Sequence, residues 1–90
     1  MPYISKEVRH GMDKIISDYL DYLVKHKSSI GELNYLITKI ILMYNTHIGD
    51  GRYSDYNDLM GVLECAKFEL YRRRVGPYED TKLKENGDVY

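Results

Sequence analysis

The residues with most chemistry to offer are three consecutive arginines, Arg72-Arg73-Arg74, with Tyr71 before them and Tyr78 shortly after. Arginine presents a planar fork of donors that matches carboxylate and phosphate, and it stacks on aromatic faces. Consecutive helical residues point about 100° apart, so the three fan outward and do not make one basic face. Glu69 stands three and four residues before Arg72 and Arg73 and can pair with either. All three are read as the last turn of a helix, where cations complement the dipole. Ordinary surface chemistry thus accounts for two of the three. The third, and the use of arginine throughout, point to a bound anion or an acidic partner, with Tyr71 and Tyr78 as stacking faces.

Two polar sets elsewhere extend this candidate site. Asn34 and Tyr35, with Thr38 and Lys39, occupy the non-core side of the second helix, and Glu64 and Lys67, with Tyr71, run along one side of the third. Each set alone is an ordinary solvated face. Together with the arginines they could line a cleft or a seam between subunits. The candidate ligand-binding residues are therefore Asn34, Tyr35, Glu64, Lys67, Arg72, Arg73 and Tyr78.

Other chemistries find no footing. His10, His26 and His47 are far apart, and no HxxxH, HExxH or CxxC spacing occurs, so no metal site is expected. The acidic loop beginning at Asp50 has Arg52 where a calcium loop needs an oxygen ligand, and Gly61 where it needs a glutamate. Neither GxxxxGK[ST] nor GxGxxG is present, and no cofactor is implied. Cys65 lies beside an apolar stripe with no histidine near it in sequence, and reads as a buried, inert thiol. No acid–base or nucleophile–base arrangement stands out, so the reading is non-enzymatic.

The elements that must position these residues are helices. Met12, Ile15, Ile16, Tyr19, Leu20 and Leu23 form one continuous stripe, placing a first helix at about 12–26. Ser5 can cap a short preliminary turn over 5–9, and Gly11 is a natural break between the two pieces. Ser29-Ile30-Gly31-Glu32 matches a capping box and opens a second helix at about 30–46. Its stripe is Leu33, Leu36, Ile37, Ile40, Ile41 and Tyr44, the most apolar in the chain, so this helix is expected to be central. Residues 45–51 end it, with Asn45, Gly49 and Gly51 as candidate left-handed positions. A third helix over about 55–75 carries Tyr56, Leu59, Met60, Leu63, Ala66 and Leu70, and Val75-Gly76-Pro77 is its stop. Residues 77–90 read as a short fourth helix or as an extended arm docked on the bundle. No β signal survives four residues. The expected fold is all-α, a small three-helix bundle in a single domain.

Composition bounds the partners. The chain has 90 residues, 13 Lys+Arg against 14 Asp+Glu, a formal net charge of −1 and 43% apolar residues. That balance makes no field of one sign, which argues against bulk nucleic-acid binding. The longest apolar run, Ile40 to Tyr44, is far short of the ~20 residues a transmembrane helix needs, and no basic n-region leads an apolar stretch at the N-terminus, so neither membrane nor secretion is expected. One cysteine excludes an internal disulfide and fits a reducing, cytoplasmic compartment. Tyrosine occurs ten times, phenylalanine once and tryptophan never. A chain this short buries only a little over 60% of its surface, so several rings stay partly exposed, and surplus apolar surface commonly ends in homo-oligomers.

One further pattern is carried by particular motifs: Gly31-Glu32-Leu33-Asn34-Tyr35, Gly61-Val62-Leu63-Glu64-Cys65-Ala66-Lys67, Tyr71-Arg72-Arg73, Pro77-Tyr78-Glu79-Asp80, Lys82 and Asn86-Gly87-Asp88-Val89-Tyr90, with Met1-Pro2-Tyr3-Ile4 at the start. They cover about two-thirds of the chain and resemble a family of small uncharacterised bacteriophage proteins. The resemblance implies phage origin, action in the host cytoplasm and a shared polar site, without an assigned activity. Two functions follow as expectations. In one, a small anionic ligand, a nucleotide by preference, is bound at a subunit interface and a host signal is sequestered: Arg72 and Arg73 meet phosphate while Tyr35 or Tyr78 stacks a base. In the other, the chain is a protein-interaction module that occupies a host or phage protein through its tyrosines.

Overall fold

Two serines set where the first helices begin. In the computed structural model, which describes residues 1–90, helix α1 runs Lys6–Lys25 and α2 runs Ile30–His47. The Ser5 hydroxyl accepts from the Val8 N–H at 3.5 Å and the Ser29 hydroxyl from the Glu32 N–H at 3.2 Å, each satisfying a donor that the first helical turn leaves open. Glu7 and Glu32 occupy the first turns and Lys25 and His47 the last, as the helix dipole favours. The expected break at Gly11 is absent. A single interior glycine costs about 1 kcal/mol, which is too little to interrupt a helix of 20 residues.

The connection between α1 and α2 is a Schellman turn on a residue that is not glycine. Lys27 has φ 49°, its N–H donates to the Val24 carbonyl at 3.2 Å, and the Ser28 N–H donates to the Leu23 carbonyl at 2.9 Å. Tyr22 and His26 stack beside it with centroids 4.0 Å apart. At the end of α2, Gly49 is required by space: a Cβ there would lie 2.9 Å from the Asn45 carbonyl oxygen. Of the three left-handed positions expected after α2, Gly51 takes one, with φ 71°.

Helix α3 spans Tyr53–Leu70 and starts on a carboxylate. Asp55 Oδ2 accepts from the N–H groups of Asp50 and Arg52 at 2.8 and 3.1 Å, so the third helical residue reaches back over the helix entrance. Its expected stop at Val75-Gly76-Pro77 is also absent. The chain widens into a π-helical turn, Tyr71–Val75, and continues as α4, Gly76–Asn86. Proline has no N–H, and inside an α-helix its ring is driven against the carbonyl four residues back. The wide turn removes that conflict, with the Gly76 N–H donating to the Tyr71 carbonyl five residues earlier. Of the two expectations for residues 77–90, the short fourth helix is the one formed. Gly87, at φ 91°, ends it, and the Tyr90 N–H bonds Asp88 Oδ1 at 2.8 Å. Within one chain these residues bury no ring: Val89 is 91% exposed, and Tyr78 and Tyr90 are exposed as well.

The expected all-α class therefore stands, with α1, α2 and a long bent third helix over residues 53–86. By its contacts the chain falls into two units, Pro2–Tyr56 and Asn57–Tyr90 together with Met1. In the first, the apolar stripes of α1 and α2 are formed, but no side chain is buried. Leu23, Leu36 and Ile41 are half-buried, while Leu33, Ile37 and Ile40 remain exposed, so the central place expected for α2 is not realised within one chain. In the second unit the π turn and α4 are consecutive stretches of one helix, and no side chain is buried. Cys65, expected to be buried, is exposed.

Candidate functional site

The π turn decides what the arginines can do. Because the helix runs on to Asn86, Arg72, Arg73 and Arg74 do not stand at a helix C-terminus, and the dipole no longer accounts for them. Glu69 chooses Arg72: Nη2 donates to Oε1 at 2.6 Å, a charge-assisted bond with a half-buried carboxylate. Arg73 and Arg74 enter no hydrogen bond or ion pair and are exposed. They are the two cations of this turn free to receive an anion.

The tyrosines that flank them are engaged differently from the stacking role expected. The Tyr71 hydroxyl donates to Glu79 Oε2 at 3.0 Å, across the turn. In an unbroken α-helix, residues seven apart lie only about 20° out of line and residues eight apart about 80°; the extra residue of the π turn brings position eight into line. The Glu79 carboxylate accepts the phenol's hydrogen bond and adds its negative charge, which together hold the Tyr71 pKa above the usual 10.0, with slight burial and the charges of Tyr90 and Asp80 acting in the same direction. Tyr78 lies under Lys82, whose Nζ is 5.7 Å from the ring centroid, a cation–π pair within α4.

The remaining candidates sit on their own helices with local partners. Lys67 Nζ bonds Glu64 Oε1 at 3.1 Å and lies 5.4 Å from the Phe68 centroid. Asn34 Oδ1 accepts from the Thr38 hydroxyl at 3.2 Å, and Tyr35 lies under Lys39 at 6.0 Å. Of the candidate residues, Arg72, Arg73 and Tyr78 share the bent helix's turn with its first α4 residues, and Glu64–Lys67 form a pair one to two turns before it. Asn34 and Tyr35 belong to the unit Pro2–Tyr56, apart from the unit that holds the other five. Sequence reasoning omitted Arg74 and Glu79. The signal for both was the proline at 77, which calls for a widened turn if the helix is to continue.

An open concavity of about 470 Å³ runs along α4 to the residues that follow it, lined by Glu79, Asp80, Lys82, Leu83, Asp88 and Tyr90 among others. Three carboxylates against one lysine make it a poor place for an anion. No group of three metal-capable side chains gathers anywhere in the chain, and no helix is long and apolar enough to cross a membrane.

Fold and turn together define a small all-α protein with an arginine-bearing π turn. The chain belongs to a family described as a domain of unknown function (DUF6899), whose model matches residues 1–89. No curated protein and no solved structure matches it.

Proposed function

We propose that the chain is a non-enzymatic binding protein that takes a small phosphate-bearing anion, a nucleotide by preference, at the π turn of a homo-oligomer. The observation that carries this reading is that Arg73 and Arg74 are exposed and unpaired in mid-helix, where neither a carboxylate nor the helix dipole explains them. Unpaired guanidinium groups are matched by phosphate oxygens in charge and in fork geometry. Tyr78 stacks the base, exchanging its lysine neighbour for the ligand. The wider role, sequestration of a nucleotide signal in the host cytoplasm, rests on analogy with short helical phage oligomers that bind such signals.

Thermal shift with a panel of nucleotides and inorganic phosphate tests this, since a ligand at 100-fold its dissociation constant adds about 2.7 kcal/mol of stability. A charge-assisted hydrogen bond contributes about 1.5–3 kcal/mol, so Arg73→Ala or Arg74→Ala should weaken binding by about ten- to hundred-fold while leaving the unliganded melt unchanged. No shift with any member of the panel would favour the second reading, a protein-interaction module. That reading is supported by the number of exposed large apolar side chains, Tyr35, Tyr53 and Tyr78 among them.

A further inference from the structure

We infer that the bent helix pairs antiparallel with the same helix of a second copy of this chain, with Gly76 and Pro77 at the two-fold axis. The face that carries this is a stripe running through the π turn: Glu69, Arg73, Pro77, Asp80 and Lys84 follow one another at spacing 4, 4, 3 and 4. Glu69 and Lys84 are 15 residues apart, which the extra residue of the π turn makes equivalent to 14. Fourteen α-helical steps return to within about 40° of the starting direction, so both ends of the stripe face one way. The same relation holds for Phe68 and Leu83, which flank the stripe on one side and are 59% and 44% exposed. Arg73, Asp80 and Lys84 are exposed and enter no ion pair within the chain.

Charge on this stripe is complementary to itself once reversed. An axis between residues 76 and 77 sets Arg73 level with Asp80 of the second copy and Glu69 level with its Lys84, and the two-fold repeats both pairs. On the apolar flank Phe68 meets Leu83 of the second copy. No like charges fall level in this register. A shift of one residue brings like charges level, Glu69 with Glu85 and Arg72 with Lys82 in one direction and Glu64 with Asp88 in the other, so charge selects the register. It also selects the direction, because parallel copies would set every charge against itself. Gly76 brings no side chain to the axis and lets the two backbones approach closely there. Arg73 stays open to the anion: its guanidinium has five N–H donors, enough for Asp80 of the second copy on one edge and a phosphate on the other. Arg74, next to it, lies off the stripe.

This inference rests on the self-association in the proposed function but not on anion binding at Arg73 and Arg74. The test uses the full chain with Glu69→Lys, with Lys84→Glu, and with both together, association being read by sedimentation equilibrium and helix content by circular dichroism. Each single reversal sets like charges level at both ends of the seam. It should weaken the dimer by about ten-fold, because exposed pairs are individually weak but the two-fold repeats each one. Mixing the two single variants, or joining both reversals in one chain, restores opposite signs and should recover the dissociation constant of the unsubstituted chain. Should a single variant lose helix, the chain with both reversals decides. Single variants that associate as tightly as the unsubstituted chain, or reversals that fail to recover together, overturn the inference while leaving the oligomer itself standing. A monomer at high micromolar concentration for the unsubstituted chain refutes both the inference and the oligomer of the proposed function.

Discussion

Pro77 is the residue that opens the π turn, so Pro77→Ala is the perturbation that tests the account of the bent helix. Alanine supplies the missing N–H and removes the ring, allowing Tyr71–Val75 to close to ordinary α geometry. An interior proline costs about 3 kcal/mol relative to alanine, and the bond from Gly76 N–H to the Tyr71 carbonyl already recovers part of that. A gain of about 1–2 kcal/mol remains, which for a chain of this length raises the melting temperature by at least about 4 °C. Closing the turn also advances everything after it by one residue's rotation, about 100°, and carries Glu79 away from Tyr71. The Tyr71 pKa is raised in the folded chain by that carboxylate. Its neutral phenol therefore contributes stability that is complete below the ordinary tyrosine pKa and is lost as pH climbs through the raised one. In Pro77→Ala this alkaline loss should vanish and the Tyr71 pKa should fall back toward the ordinary tyrosine value. Circular-dichroism melts from neutral to alkaline pH at fixed protein concentration, with an NMR titration of the Tyr71 ring, read both effects. A melting temperature unchanged or lowered, with Tyr71 still ionising late, would show that proline does not set the turn.

Lys27 holds a left-handed conformation that costs a non-glycine residue about 1–2 kcal/mol, so Lys27→Gly should stabilise the chain by about 0.5–1 kcal/mol after the extra freedom of glycine in the unfolded chain is subtracted; chemical denaturation giving a lower midpoint with an unchanged slope would refute this. Asp55→Ala removes the acceptor of two backbone N–H groups at the entrance of α3 and should cost about 0.5–2 kcal/mol, with the Asp50 and Arg52 amides losing protection in hydrogen exchange. Unaltered exchange at both would mean that water replaces the carboxylate without loss.

What could be read in the sequence and what could not divide along one line. The serine caps, the first two stripes and the carboxylates in first turns are local patterns, and they appear where the residue types place them. Gly11 and Gly76-Pro77 read as breaks because each is unfavourable in a helix. Yet the sum over a whole element outweighs one glycine, and a helix can absorb a proline by gaining a residue in one turn. That gain also hid the Tyr71–Glu79 bond, whose partners a strict 3.6-residue period sets about 80° apart. Lys27 carries no such signal, because left-handed turns favour glycine and asparagine. The candidate site was legible as residue types at Arg72 and Arg73, but the choice of Glu69 between them depends on the half-buried position of its carboxylate.

The π turn makes residues 71–75 a place where sequence length and helix phase trade against each other. A chain lacking one residue there would keep α4 in its present angular phase with a straight, regular helix, whereas a chain of the same length without the proline would keep the residue and lose the phase. Among members of this family, a one-residue gap between the tyrosine and the proline is then a neutral event for the face carrying Glu79, and it should be accompanied by loss of the proline's constraint. Insertions in the α-helical stretches on either side have no such compensation and should be absent.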